Sequence, residues 1–592
     1  MLALGSLLAL AVAAALPGAA AGATQPQPGV ISYWGMNVYL SKRERLQTHD
    51  NLTLLAQAAR EAGVQWTREE LPWDLIEPDA GTFKTDHYDS YLQLAADQGF
   101  GIIGMLLTTP SWARDAACGS SYWCPPRDPS DYARFAGYMA ERYDSDGQND
   151  APGSPRIAAW EIWNEPNDTA LWPDIGGGAD ARKRRYGDML VAAYAAIRSA
   201  DPTALVLTGG TYIFDGSCAG GICDGLNFMG GVFQQVPAAL QAFDVFAIHP
   251  FIPTERPDAP NIPRLITVEG RIRNTRGWLD APPYSRPDAP IWITEIGWCT
   301  APGACPGGVQ MSEAQQADYL IRSMVIAQQS GAQHTGWFQF EDAFNDPNRV
   351  WSNAAIVRNY DTQTSSYPPK PAYTAYRTLA RLLAPTTPIG AGPLHTHVYD
   401  PSKPYDPSGS ATYNYRYTCG SETVDVLWRP ADTIQATLPV AAGKQVTLIR
   451  RDGTQQMLSP TGGGVALTIS ESPSLVLQAD PPQISATPAS VTLLAQLGDA
   501  TTAGSLQIDS NGCQPLAWTA SVTGVALTLG ATSGVTPAAL PLTADVQGRP
   551  VGAHTLGSVI ITGANGAGVL TRQVQVVVAE TLYRSYLPAI RR

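Results

Sequence analysis

Between residues 30 and 385, short apolar runs alternate with longer stretches in which apolar positions recur every three or four residues. The short runs at 31–38, 63–69, 101–108, 157–165, 204–210, 243–249, 290–296 and 335–341 have the length of strands. Helix-period stretches such as 51–62, 87–98, 129–143, 181–199, 312–329 and 369–383 fall between or after them. Repeated β-α units predict a parallel sheet, and eight strands in roughly 350 residues fit a closed (β/α)8 TIM barrel with long loops. An open doubly wound sheet is the alternative, although no Gly-rich phosphate loop follows the first strand.

After "LLAPTTPIGAGP" (382–393) the helical period stops. Residues 394–478 alternate apolar and polar positions, as in "TVDVLWRP" and "QVTLIRRDG", and predict a small antiparallel β domain. The Pro-rich junction "ADPPQISATP" opens a third segment, 483–579, whose runs "GSVIITG" and "RQVQVVVA" predict an all-β immunoglobulin-like sandwich. Residues 580–592 read as a frayed aromatic and basic tail. At the other end, the apolar run closing on Ala21-Gly22-Ala23 reads as a secretory signal peptide, residues 1–23, which places the mature protein outside the cytoplasm. No Lys or Arg precedes that run, so an uncleaved membrane anchor is the alternative.

Composition narrows the partners. With 44% hydrophobic and 15% charged residues the chain is globular, and 55 Gly and 48 Pro make it rich in turns. A formal charge of −13 leaves no basic stripe for phosphates, which argues against nucleic acid and leaves a neutral polymer acceptable. Of the eight cysteines, Cys118/Cys124, Cys218/Cys223 and Cys299/Cys305 are close pairs in Gly/Pro/Ser-rich loops, the pattern of local disulfides made in an oxidising compartment. Cys419 and Cys513 stand far apart, and no bond between them is predicted. Neither C-x-x-C nor H-E-x-x-H occurs, so no metal site is read, and no cofactor is expected.

The chemistry is carried by two strand ends. In "WEIWNEPN" (160–167), Glu165 follows Asn164 and precedes Pro166, where the fourth strand must stop. In "APIWITEIGW" (289–298), Glu295 closes the seventh. Strand C-termini form the active-site face of such a barrel, and the fourth and seventh strands stand across it from one another. Two facing carboxylates, one protonated and one ionised, are the minimum equipment for breaking a glycosidic bond.

These motifs, with "REELPWDLIEPDAGTF" (68–83) and "AIHPF" (247–251), make residues 30–385 resemble the retaining glycoside hydrolases of clan A, most closely families 5 and 39, the cellulase-like and β-xylosidase-like enzymes. The resemblance implies Glu165 as acid/base, Glu295 as nucleophile and net retention of configuration. It also implies Asn164 on the sugar 2-hydroxyl, Arg68 on the nucleophile, and His249 lining the sugar site, where a lone His would otherwise read as a packed core residue. Clan members often carry Tyr where Phe251 stands, so here the nucleophile's hydroxyl contact is either absent or supplied by another residue. The second segment resembles the β domain beside many clan A barrels, and the third is similar to immunoglobulin-like modules of the BACON type. Both read as scaffold or spacer, with attachment to a glycan or cell surface as the alternative.

Glu161 lies two residues before Trp163 and four before Glu165, so a strand period places all three on one face, with Glu161 deeper and pairing with Arg68 or another donor. Glu69 and Glu70 read as solvated or loop-anchoring. Trp73, Trp112, Trp123, Trp163, Trp172, Trp298, Trp337 and Trp351 fall in or near predicted mouth loops, where indole faces could stack on sugar rings, although packing accounts for about half of such residues. Trp298 and Trp337 are the leading candidates among them, with Trp112 a third. The whole predicts a secreted retaining hydrolase of a β-linked oligo- or polysaccharide, with its two carboxyl groups ~5–5.5 Å apart. A carbohydrate-binding protein on the same barrel and a transglycosylase are the alternatives. The sugar itself, endo or exo action and oligomeric state are not legible.

Overall fold

The computed structural model describes residues 32–41, 51–214, 217–219, 221–252, 254–258, 267–300, 305, 311–342, 351, 353–400 and 410–582. The signal-peptide reading of residues 1–23 and the tail past residue 582 lie outside the described residues. No helix among the described residues is long and apolar enough to cross a membrane.

Eight parallel strands close into a barrel with neighbours in chain order. They are β1 Trp34–Met36, β2 Trp66–Pro72, β3 Gly101–Leu107, β4 Ala159–Asn164, β5 Leu205–Tyr212, β6 Phe246–His249, β7 Ile291–Ile296 and β8 Ala332–Trp337. One long helix follows each: α1 Leu52–Ala62, α2 Asp86–Asp97, α3 Pro129–Arg142, α4 Gly178–Ala200, α5 Gly225–Gln235, α6 Val268–Asp280, α7 Glu313–Gln329 and α8 Pro371–Leu383. Pairing of β1 with β8, Trp34 opposite Thr335, closes the ring.

Helices α5 and α6 have no counterpart among the periodic stretches read from the sequence. Glycines at 225, 230 and 231 dilute the apolar period of α5, and α6 is largely polar. Their start points are fixed instead by capping: the Asp224 carboxylate accepts the Leu226 and Asn227 N–H groups, and the Thr267 hydroxyl accepts that of Gly270.

The inside of the barrel is layered. Trp66, Ile103, Ala159, Leu207, Val245, Ala247 and Trp292 form one buried apolar cluster. Gly101 makes room for it, since a Cβ there would stand 2.5 Å from the Trp66 ring. Two residues further along the same faces of β2, β4 and β7 come Arg68, Glu161 and Thr294. The polar layer therefore rests on a dry floor, one step below the C-terminal mouth.

Past the barrel, a six-stranded antiparallel sheet begins with Thr387–Ala391, inside the stretch read as a junction, and runs on through Tyr413–Cys419, Glu422–Trp428, Ser474–Ala479, Gln445–Arg450 and Gln455–Leu458. Its buried Tyr413, Tyr417 and Trp428 share one apolar core with the barrel helices. Asp258 locks that seam, accepting from Trp428 Nε1 at 2.6 Å and from Arg322 of α7 at 3.3 Å. Residues 484–510 and 516–582 form a separate compact unit, a sandwich of a four-stranded and a five-stranded sheet around its own core of Trp518, Leu540, Ile561 and Val574.

The three short-range disulfides form as their spacing predicts. The fourth supplies what the sequence left open: Cys419 is bonded to Cys513 across 94 residues of sequence. Nothing in local spacing could reveal it, because the partner is brought in by the fold. Closing so long a loop restricts the unfolded chain strongly, so replacing both cysteines by serine is expected to lower stability by about 2–4 kcal/mol, measured as a lower melting temperature under non-reducing conditions.

Candidate active site

The backbone turns sharply where β4 ends. Trp163 (φ 73°) and Glu165 (φ 44°) both occupy left-handed conformations, which are uncommon outside glycine and cost of order 1–3 kcal/mol each. The twist at Trp163 breaks the strand alternation. Its indole packs outside the barrel against Trp172, centroids 4.9 Å apart, and its Nε1 donates to Leu171 O at 3.0 Å. The expectation that Glu161, Trp163 and Glu165 share one face therefore fails at Trp163. Glu165 is fixed at the rim by its N–H, which donates to Gly210 O at 3.0 Å, and its side chain is 23% exposed.

One oxygen of Glu165, one of Glu295 and one ring nitrogen of His249 all lie within 4.8 Å of each other. Each carboxylate has a different partner. Arg68 NH1 donates to Glu295 Oε1, while Arg68 Nε and NH2 grip both oxygens of Glu161 at 2.5 and 3.2 Å. Arg68 NH2 also donates to Asn164 Oδ1 at 2.8 Å. Burial opposes the guanidinium charge, but Glu161, Tyr39 and Glu295 outweigh it and hold Arg68 firmly protonated. Glu161 is fully buried and also accepts from Gly210 N (2.8 Å) and Thr294 Oγ1 (3.1 Å), so its pairing with Arg68 is the structural one expected.

Glu165 faces a histidine instead. His249 Nδ1 is 2.8 Å from Glu165 Oε1, and Nε2 is 2.9 Å from Thr294 Oγ1. If the Thr294 hydroxyl donates to Glu161, its oxygen accepts from His249 Nε2–H and Nδ1 faces a protonated Glu165; if it donates to Nε2, Nδ1–H donates to the Glu165 carboxylate. The His249–Glu165 pair thus holds one proton between them, on either partner. Gly210 permits this approach, because a Cβ there would come within 2.2 Å of His249 Nε2.

Arg68, Asn164, His249, Glu165 and Glu295 are therefore gathered at one place. The tryptophans are not. Trp298 and Trp337 are both fully buried and stack on one another at 5.8 Å, so neither offers a ring face to a sugar. Trp298 Nε1 donates to Glu255 O at 2.7 Å. Residues just past strand ends can turn outward into the helix layer as readily as into the mouth, and sequence does not distinguish the two. Trp112 bonds Glu77 O through Nε1 at 3.0 Å and packs against Trp73. Partly exposed Trp351, 4.8 Å from Phe251, is the member of the set joined to the site by ring contacts, since Phe251 in turn lies 6.2 Å from His249. Glu69 is buried rather than solvated and anchors the loop after β1 through Ser41 N and Oγ. Burial raises its carboxyl above the usual range, against hydrogen bonds from Thr67 and Ser41.

Two site residues escaped the sequence reading. Thr294 stands directly before Glu295, and Tyr39 lies in the loop after β1, 3.2 Å from Glu295 Oε1 through its hydroxyl. A hydroxyl's partners are set by barrel closure, and no spacing along the chain marks them. The Glu165, His249 and Glu295 group could geometrically hold a cation, but Arg68 already contacts Glu295 and would repel a second positive charge.

No protein-family model matches the chain, and no curated protein sequence does. Solved structures do share its fold. A family 39 glycoside hydrolase from the gut symbiont Bacteroides cellulosilyticus WH2 superposes with a TM-score of 0.55 at 20% identity, over 72% of this chain and 78% of that one. A family 39 enzyme from Xanthomonas axonopodis pv. citri gives 0.52 at 14% identity, over 77% and 96%. A family 39 β-xylosidase from Caulobacter crescentus gives 0.51 at 13% identity, over 78% and 98%.

Proposed function

We propose that the protein is a secreted, retaining β-glycoside hydrolase in which Glu165 is the acid/base and Glu295 the nucleophile. The observation that carries this reading is the pair of rim carboxylates within 4.8 Å of one another, one sharing a proton with His249 and the other held by Arg68. That spacing favours direct attack, with carboxyl groups ~5–5.5 Å apart, over the ~6.5–9.5 Å that an interposed water needs. In the first step a Glu295 oxygen bonds to the anomeric carbon, the glycosidic C–O bond breaks, and the departing oxygen takes the proton from Glu165. In the second, Glu165 removes a proton from water, the hydroxide oxygen bonds to the same carbon, and Glu295 leaves as carboxylate. The one proton of the His249–Glu165 pair is thus passed to the leaving oxygen in the first step and regained from water in the second, and Asn164 is read as the partner of the sugar 2-hydroxyl.

The family 39 β-xylosidase among the similar folds makes aryl β-xylosides the first substrates to try, followed by β-glucan, xylan and mannan. The sandwich, which resembles BACON-type modules, is read as a spacer or glycan-attachment module. Four disulfides among the described residues support an oxidising destination. Glu165→Ala is expected to lose roughly 10²–10⁴-fold in kcat/KM on a glycoside with a poor leaving group, and much less on one with an activated phenol. Added azide should restore turnover of the activated substrate and yield a glycosyl azide of retained configuration. An azide product of inverted configuration would overturn the nucleophile assignment. Glycan binding without turnover would replace hydrolysis by a binding role, and products longer than the substrate would indicate transglycosylation.

A further inference from the structure

We infer that Tyr39 is the positioning residue of the nucleophile, its hydroxyl donating to Glu295 from β1 in place of the hydroxyl that Phe251 lacks. The inference rests on the reading of Glu295 as nucleophile. Donor counting directs the bond. Tyr39 Oη receives Asn37 Nδ2 at 2.9 Å and Arg68 NH1 at 3.1 Å, which occupies both lone pairs. Its single hydrogen is left for Glu295 Oε1 at 3.2 Å. Burial, and then the neighbouring Glu295 charge, raise the phenol well above its ordinary range, so it stays a donor at every working pH.

The placement is built at a cost. Tyr39 is 2% exposed and has φ 55°, a left-handed conformation that a bulky residue keeps only when its surroundings fix it. Its ring meets Phe338 edge-on at 6.1 Å, and Phe338 meets Phe251 at 6.1 Å. The two rings therefore approach the same site from the segments after β1 and β6, and of the two only Tyr39 carries a hydroxyl.

Among the described residues, the charged and titratable groups facing Glu295 include Arg68 from β2, Tyr39 after β1, and Glu165 and His249 at the ends of β4 and β6. Tyr39 favours the ionised form of Glu295 in the free enzyme. It also stabilises that carboxylate as it departs from the sugar in the second step, so both steps depend on it.

The test is Tyr39→Phe, which removes one oxygen and keeps the ring. The acid limb of its kcat/KM profile should move up by about one pH unit or more, as expected for losing a hydrogen bond to a charged group. Reactivation of the enzyme trapped with a 2-deoxy-2-fluoro glycoside should slow roughly 10-fold or more. A lower melting temperature with both readouts at wild-type values would overturn the inference and leave Tyr39 structural. Glu295→Gln is run alongside: if that variant keeps full activity, the nucleophile reading itself has failed, independently of Tyr39.

Discussion

Glu295→Gln should abolish hydrolysis, with a loss of roughly 10⁵–10⁶-fold in kcat, the scale seen when a covalent nucleophile is removed. The amide keeps the shape and can still lie beside Arg68, so the variant should fold and bind substrate with little change in affinity. What disappears is the bond to the anomeric carbon, for which no other group in the cluster is placed. Glu165 is engaged with His249, and Glu161 lies four residues earlier in β4, enclosed by Arg68, Gly210 and Thr294. Single-turnover measurements with an activated glycoside should show no burst and no labelled protein. A residual rate within about 100-fold of wild type would mean that this carboxylate is not the attacking group, since loss of general acid–base help alone is worth ~10²–10⁴.

Arg68→Met should lower stability by about 3–5 kcal/mol. The guanidinium is 2% exposed and is the cation shared by Glu161 and Glu295. Removing it leaves two carboxylates close together in a site floored by the Trp66 and Trp292 layer. Lysine should not substitute, because a point charge on a flexible stem cannot donate at once to Glu161, Glu295, Asn164 and Tyr39. Adding Glu161→Gln to Arg68→Met should recover part of the loss, since it removes one of the uncompensated charges. Urea unfolding of the four proteins in that cycle measures the coupling, and an Arg68→Met midpoint equal to wild type would refute the account.

The two glutamates could be read from the sequence because a carboxylate at the end of an apolar run has few structural uses, and two such ends three strands apart have fewer. Arg68 and Asn164 came only from the family resemblance, since neither the middle of one strand nor the last residue of another marks a site by itself. Tyr39 and Thr294 could not be read, because their meaning lies in which hydroxyl faces which carboxylate once the ring has closed. Trp298 and Trp337 misled for a related reason. Trp337 is the last residue of β8 and Trp298 stands two residues past β7, and at a strand end alternation of faces does not by itself say which way an indole goes. Trp163 shows the same effect inside a strand, where one left-handed residue moves a ring from the expected barrel face to the helix layer. Helices α5 and α6 were hidden by glycine content and polarity, and their capping residues are visible only to a reader who already knows where a helix starts.

The bond between Cys419 and Cys513 bears on how this chain can be divided. A fragment ending at residue 483 would keep the barrel, the six-stranded sheet and their shared core, yet it would expose Cys419 as an odd thiol, open to intermolecular dimerisation under oxidising conditions. A fragment ending near 385 fares worse, because it strips away Trp428 and leaves Asp258 and Arg322 facing water where they were enclosed. The smallest well-behaved catalytic piece is therefore not the barrel that the sequence outlines, and a truncated expression clone should end at residue 483 with Cys419→Ser, since keeping Cys513 means keeping the whole sandwich through residue 582.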